Sequence, residues 1–255
     1  MIGIDPAIDD TIATLIETIN EKLNKTCFYN DRMITFDKST AFLTKNQRFQ
    51  RAFDMCALND EDRSRAWRMH TLAWAADIAM QLDGDFVECG VFEGFMSQTI
   101  IEYVGFAETP RTFYLYDTFD GFSPKYSEPD DFGTGSGFYD FANKVYGRDG
   151  LYEDVVDRFA PYPNAKVIRG VVPDVLHDNS PETIAFLHID MNSPRAEQGA
   201  LEVLFDRVVP GGVIVFDDYG WLSYAKQMEA ADAFMNARGY FVLELPTGQG
   251  LTVKR

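Results

Sequence analysis

The chain has 255 residues, 46% hydrophobic, 14% aromatic and 25% charged, with a formal net charge of −17. That length suits one substantial α/β core, and so acidic a surface repels phosphate backbones and anionic lipid, which argues against nucleic acid and membranes as partners. No run approaches a membrane span, and the opening MIGIDPAIDDTIATL lacks the basic-then-apolar order of a signal peptide, so a cytoplasmic protein is expected. Cys27, Cys56 and Cys89 are widely spaced and odd in number, which argues against a disulfide framework or a zinc site.

Ile4, Ile8, Ile12, Leu15, Ile16, Ile19 and Leu23 recur at three- and four-residue steps and predict an amphipathic first helix, with Pro6 tolerable in its first turn. The following TCFYNDRMITFDKSTAFLTKNQRF is less regular, and DEDRSRAWRMHTLAWAADIAMQL predicts a second long helix ending at Asp83-Gly84. Neither helix carries a catalytic constellation. Residues 1–84 are therefore expected as a helical extension that caps the core or pairs subunits, which makes a homodimer plausible.

From Asp85 the rhythm changes to short apolar runs alternating with helical stretches. DFVECGV (85–91), TFYLYD (112–117), AKVIR (165–169), IAFLHID (184–190) and GGVIVFDD (211–218) are the expected strands of a parallel sheet. A helix is expected over Ala225 to Arg238. The closing YFVLELPTGQGLTVKR reads as a hairpin at the sheet edge. Residues 120–164, rich in Gly, Asp and aromatics, fit no strand. A long insertion of this kind is either a lid over a binding site or a mobile surface loop.

In a parallel sheet all carboxyl ends share one edge, and ligands bind along it. The first strand delivers Glu88, Gly90 and Gly94 there, a glycine turn that lets a ligand approach the backbone. Its spacing departs from the dinucleotide fingerprint, which argues against a dehydrogenase. Asp117, ending the second strand, is placed for ribose hydroxyls or equally for a helix cap. Glu88 facing it suits an amino-bearing ligand. The fourth strand ends in Asp190 and the fifth in Asp217 and Asp218. Three carboxylates at neighbouring strand ends are costly without a cation, and such hard oxygens suit Mg²⁺, Mn²⁺ or Ca²⁺. One acid capping a helix while another faces water is the bland alternative.

GDFVECGVFEGFMS, FYLYDTFDGF, FLHIDMN, VPGGVIVFDDYG and LPTGQGLTVK together resemble the macrocin O-methyltransferase family, over roughly residues 65 to 255. The resemblance implies a Rossmann-like class I methyltransferase, with a seven-stranded, mostly parallel sheet, helices on both faces and a terminal antiparallel hairpin. The methyltransferase core is then expected over 85–255, with 120–164 as a lid or acceptor-binding insertion. S-adenosylmethionine would be bound by Glu88, Cys89, Gly90, Gly94, Ser97, Asp117 and Thr118. Mg²⁺ or Mn²⁺ would be held by Asp190, Asp217 and Asp218, and the acceptor would be a hydroxyl of a sugar or similar diol.

One departure stands out. Antibiotic-sugar members carry an acid as general base where this chain has Asn192, which cannot take a proton at neutral pH. His188, two residues before Asp190, is then a candidate base, or a packed core residue. Asn192 is left to orient the acceptor, and Tyr219 and Trp221 to form a stacking wall or to pack a loop. A catechol or phenol acceptor, and a non-catalytic cofactor-binding protein, are the rival readings.

Overall fold

The computed structural model describes residues 6–23, 27–133 and 136–255, so Ile4 of the predicted first helix and positions 134–135 of the insertion lie outside the described residues. The first helix, Pro6–Leu23, is followed by an antiparallel hairpin of β1 (Cys27–Asn30) and β2 (Met33–Phe36). This hairpin replaces part of the helical region expected from the sequence. Asp31 and Arg32 turn the chain between its strands, both at φ 55°.

The second long helix is broken into Asp60–Arg63 and Ala66–Ala79. The cause is local. The Ser64 carbonyl accepts the Asp31 N–H at 2.7 Å, and the Arg63 carbonyl accepts the Asn30 amide at 3.0 Å. The hairpin turn therefore takes carbonyls that a continuous helix would have used itself.

The main sheet contains β3 (Asp85–Cys89), β4 (Phe113–Asp117), β5 (Ala165–Arg169), β6 (Ile184–Ile189), β7 (Val208–Phe216), β8 (Leu243–Glu244) and β9 (Gly250–Val253). Their order is β5-β4-β3-β6-β7-β9-β8. Pairings from β5 across to β7 are parallel, while β9 runs antiparallel to both β7 and β8. All five predicted parallel strands are present, and the closing hairpin lies at the edge as expected.

Side-chain alternation along each strand feeds two cores. Phe86, Phe113, Phe186 and Val215 pack with the helices Gln47–Cys56, Ala66–Ala79 and Phe95–Val104 on one face. Val87, Leu187, Ile214 and Phe216 pack with Pro194–Leu204 and Ala225–Asn236 on the other. Every residue of β6 is buried, as a central strand covered on both faces requires. Met69, Leu72 and Ala76, N-terminal to residue 84, share the core of β3 and β4.

The insertion, which fits no strand, is helical in part. It holds the helices Ser136–Tyr146 and Leu151–Phe159. Leu151, Val155 and Phe159 are buried at four-residue steps, a stripe too short to stand out among the flanking Gly and Asp.

Candidate active site

Neighbouring strands leave β3 in opposite directions: β4 and β5 to one side, β6 and β7 to the other. The carboxyl ends part at this switch point, and a cleft of about 1130 Å³, open to solvent, lies there.

On the β4 side the wall is mostly backbone. The Gly90 N–H donates to the Tyr116 carbonyl at 2.8 Å. Gly90 has φ 93°, and a Cβ there would sit 1.8 Å from the Asp190 carbonyl oxygen, so only glycine fits. Gly94, at φ 80°, caps the helix Phe95–Val104. Asp117 organises this turn. Its Oδ2 accepts the Val91 and Phe92 N–H groups at 2.8 and 2.9 Å, and its Oδ1 accepts the Phe119 N–H at 2.7 Å. The Thr118 hydroxyl donates to the Gly121 carbonyl at 2.5 Å.

Glu88 is buried and turned inward. It accepts the Ser97 hydroxyl and pairs with His188 Nδ1 at 2.8 Å. Cys89 is buried, and its burial, with Glu88 nearby, pushes the thiol far above its ordinary range. A group in that state is no nucleophile.

On the β6–β7 side the wall is built of charge. The Asp190 N–H donates to the Cys89 carbonyl at 2.8 Å, and the Asp217 N–H to the Ile189 carbonyl at 2.9 Å. The parallel ladder thus brings both acids to one edge. One carboxylate oxygen from each of Asp190, Asp217 and Asp218 lies within 4.8 Å of the others.

Sequence reasoning missed what answers this charge. Arg68, from the helix Ala66–Ala79, places Nη1 2.5 Å from Asp217 Oδ2 and 3.1 Å from Asp218 Oδ1. Its Nε lies 3.1 Å from Asp31 Oδ1, and its own N–H donates to Asp31 Oδ2 at 3.1 Å. The hairpin turn thereby fixes the guanidinium on the acids. The available signal was a lone Arg in an apolar helix, paired with no acid on its own helix face.

His188 is fully buried, with Nδ1 on Glu88 and Nε2 3.6 Å from Asp217 Oδ1. Burial alone would lower its pKa, but the Asp217 and Glu88 carboxylates outweigh it and push it up to about 10. At neutral pH the ring is therefore a cation. Burial raises Asp217 too, but Arg68, His188 and Gln249 outweigh it and hold its carboxyl well below the usual range. Asp190 goes the other way, raised well above that range by burial and by Asp217 and Asp218.

Asn192 stands at the cleft with φ 54°, and its buried Oδ1 has no partner among the described residues. Tyr219 does not form a stacking wall. Its ring packs against Phe216 and its hydroxyl donates to Asp232 at 2.6 Å. Trp221 stacks on the protein's own cations, with Arg32 and Arg68 each 4.9 Å from its ring centre.

The insertion contributes Phe122, Tyr126 and Tyr146 to the lining of the cleft. The Ser193 hydroxyl donates to the Tyr126 carbonyl at 2.6 Å, and the Gly133 N–H to the Ser223 carbonyl at 3.0 Å. These bonds join the insertion to the loops after β6 and β7.

A seven-stranded sheet whose one antiparallel strand, β9, lies between β7 and the edge strand β8, with a glycine turn opening a cleft at its switch point, defines a class I methyltransferase fold. The profile of the macrocin O-methyltransferase (TylF) family matches residues 29–241, and the chain belongs to that family. It is an S-adenosylmethionine-dependent O-methyltransferase.

No curated protein matches the chain by sequence. Among solved structures, the O-methyltransferase NovP is 19% identical with a TM-score of 0.61, covering 73% of this chain and 79% of its own. The calicheamicin methyltransferase CalS11 is 18% identical with a TM-score of 0.58, covering 85% and 93%. Its apo form is described as a TDP-rhamnose 3'-O-methyltransferase. PaMTH1 of Podospora anserina, solved with S-adenosylhomocysteine, is 13% identical with a TM-score of 0.50, covering 100% and 98%. No helix among the described residues is long and apolar enough to cross a membrane.

Proposed function

We propose that the chain methylates a hydroxyl of a sugar or glycosylated small molecule, with a divalent ion, Mg²⁺ or Mn²⁺, held by Asp190, Asp217 and Asp218. The observation that carries this reading is the approach of those three carboxylates to within 4.8 Å of one another beside the glycine turn. The donor set fits a hard ion: all its atoms are carboxylate oxygens, and Asp190 receives no hydrogen bond on its carboxylate among the described residues. When bound, the ion supplies positive charge that eases loss of the acceptor's hydroxyl proton.

The chain's own residues do the rest. Gly90 and Gly94 give the methionine end of S-adenosylmethionine room against the backbone, and Asp117 keeps that turn in shape while facing the ribose. Ser97 and His188 hold Glu88, while His188 also holds Asp217. His188 thus acts as a positioning residue: a buried imidazolium has no vacancy for a proton. Asn192 Oδ1, an acceptor without a donor, is suited to receive a hydrogen bond from the acceptor molecule. Asp190, to which neither Arg68 nor Gln249 hydrogen-bonds, is the acid most open to the ion. The protein's chief contribution is alignment of the methyl donor with the oxygen.

Residues 120–164 serve in this reading as the lid and acceptor wall, and residues 1–84 as a cap that delivers Arg68 to the cleft. A catechol or phenol acceptor is the second reading, favoured by Phe122, Tyr126 and Tyr146 along the cleft, which would sandwich a flat ring. The test is methyl transfer from labelled S-adenosylmethionine to a panel of nucleotide sugars, glycosides and catechols, with and without Mg²⁺. Turnover confined to catechols would replace the sugar reading.

A further inference from the structure

Asp217 has no free oxygen. Oδ2 lies 2.5 Å from Arg68 Nη1, and Oδ1 accepts the Gln249 amide at 2.9 Å with His188 Nε2 behind it at 3.6 Å. Asp218 Oδ1 is shared with the same Arg68 nitrogen at 3.1 Å. An ion ligated by these acids needs carboxylate oxygens at about 2.0–2.2 Å, on lone pairs the guanidinium now uses. Two cations on one oxygen repel, and at this depth little water screens them: side-chain exposure is 11% for Arg68 and 2% for Asp217.

We propose that Arg68 is the resting counter-cation of the Asp217–Asp218 pair, and that a divalent ion binds only by displacing its guanidinium. This rests on the metal reading given above. It adds that the N-terminal segment competes with the ion, because Asp31 in the β1–β2 turn holds Arg68 by both its Nε and its backbone N–H. In this resting position Arg68 also lies over the face of Trp221, 4.9 Å from its ring centre, a contact that uses no carboxylate. The ion-free protein thereby has a cation on the Asp217–Asp218 pair, at the expense of metal affinity: an ion that binds only the displaced state has its affinity reduced by that state's fraction.

The test is direct binding of Mn²⁺, followed by electron paramagnetic resonance and calorimetry, with no substrate present. Arg68→Gln should bind Mn²⁺ about tenfold or more tighter than the wild type, the size expected if the displaced state is about a tenth populated or less. Its melting temperature should fall without metal and recover more than the wild type's when Mn²⁺ is added. Because Arg68→Gln leaves Asp31 buried without its cation, the double variant Asp31→Asn with Arg68→Gln is measured beside it and should show the same tightening.

Equal affinity in the wild type and both variants would overturn the competition while leaving a metal site in place. Weaker binding in the variants would overturn it as well, and would make Arg68 a supporter of the site. Absence of Mn²⁺ binding in all three proteins would overturn both the competition and the metal reading beneath it.

Discussion

The two walls of the cleft solve the same problem with different materials. At the β3–β4 side the groups are backbone N–H donors, two glycines and Asp117, already satisfied by three N–H groups, while Glu88 is turned inward to Ser97 and His188. At the β6–β7 side three carboxylates cluster, and Arg68 and His188, drawn from the helix Ala66–Ala79 and from β6 itself, pair with Asp217 and Asp218. The first wall is held by hydrogen bonds in which Asp117 uses both of its oxygens on backbone N–H groups. The second depends on charges whose balance one proton or one ion can alter. A donor cofactor of fixed shape suits the first wall, and chemistry at a hydroxyl suits the second.

Disturbing the charged wall should have the largest effect. Asp217→Asn removes the carboxylate that Arg68, His188 and Gln249 all address, and should lower methyl transfer by roughly 10³-fold or more. It also leaves two buried cations short of a partner, so stability should fall by about 3–5 kcal/mol in urea melts. Activity within threefold of wild type would place the reacting oxygen elsewhere.

Gly90→Ala comes next, because it strikes both walls together. Its methyl would meet the Asp190 carbonyl oxygen at 1.8 Å, so the β3 turn and the β6 end must separate. A displacement on the order of 1 Å should cost about 10²-fold in turnover. Unchanged kinetics would show that this close approach is not needed.

Asp117→Asn confines the change to the backbone-built wall. Losing charge-assisted hydrogen bonds to Val91 and Phe92 should weaken S-adenosylmethionine binding about tenfold by calorimetry. Metal affinity should stay unchanged, and a parallel loss of Mn²⁺ binding would show that the two walls are coupled.

The smallest effect concerns Glu197, behind the charged wall. Burial pushes its pKa up to about 8 from an ordinary 4.5, against the hydrogen bond from Gln227 and with Asp218 adding to the rise. The sign follows from linkage. Between those two values the unfolded chain gives up a proton that the folded chain keeps, so this group's contribution to stability declines as pH rises from 4.5 to 8. Glu197→Gln should flatten that decline in urea melts at pH 5 and pH 8. Parallel curves for variant and wild type would mean that Glu197 is ionised in the native protein.

The backbone-built wall was largely legible in the sequence, and the charged wall only by half. Strand runs ending in Gly90, Asp117, Asp190 and Asp217 announce a parallel sheet, and sheet topology then fixes which ends meet. The compensating groups follow no such rule. Arg68 reaches Asp217 across 149 positions of chain, through a helix break caused by a hairpin that the sequence did not suggest. CFYN and MITF are four-residue strands with two ordinary residues at the turn, and nothing in their pattern distinguishes them from loop. His188 was visible as a group near the acids. Its role as a cation between Glu88 and Asp217 depends on the β3–β6 and β6–β7 registers, in which it stands beside Glu88 and Val215.

The decisive measurement is methyl transfer by the wild-type protein to its best acceptor, first in excess EDTA and then after Mg²⁺ is restored. Asp190, Asp217 and Asp218 acting as one ion site predicts loss of turnover on chelation and full recovery on adding Mg²⁺. Turnover undiminished in EDTA would contradict it and leave Arg68 as the permanent cation of the cluster.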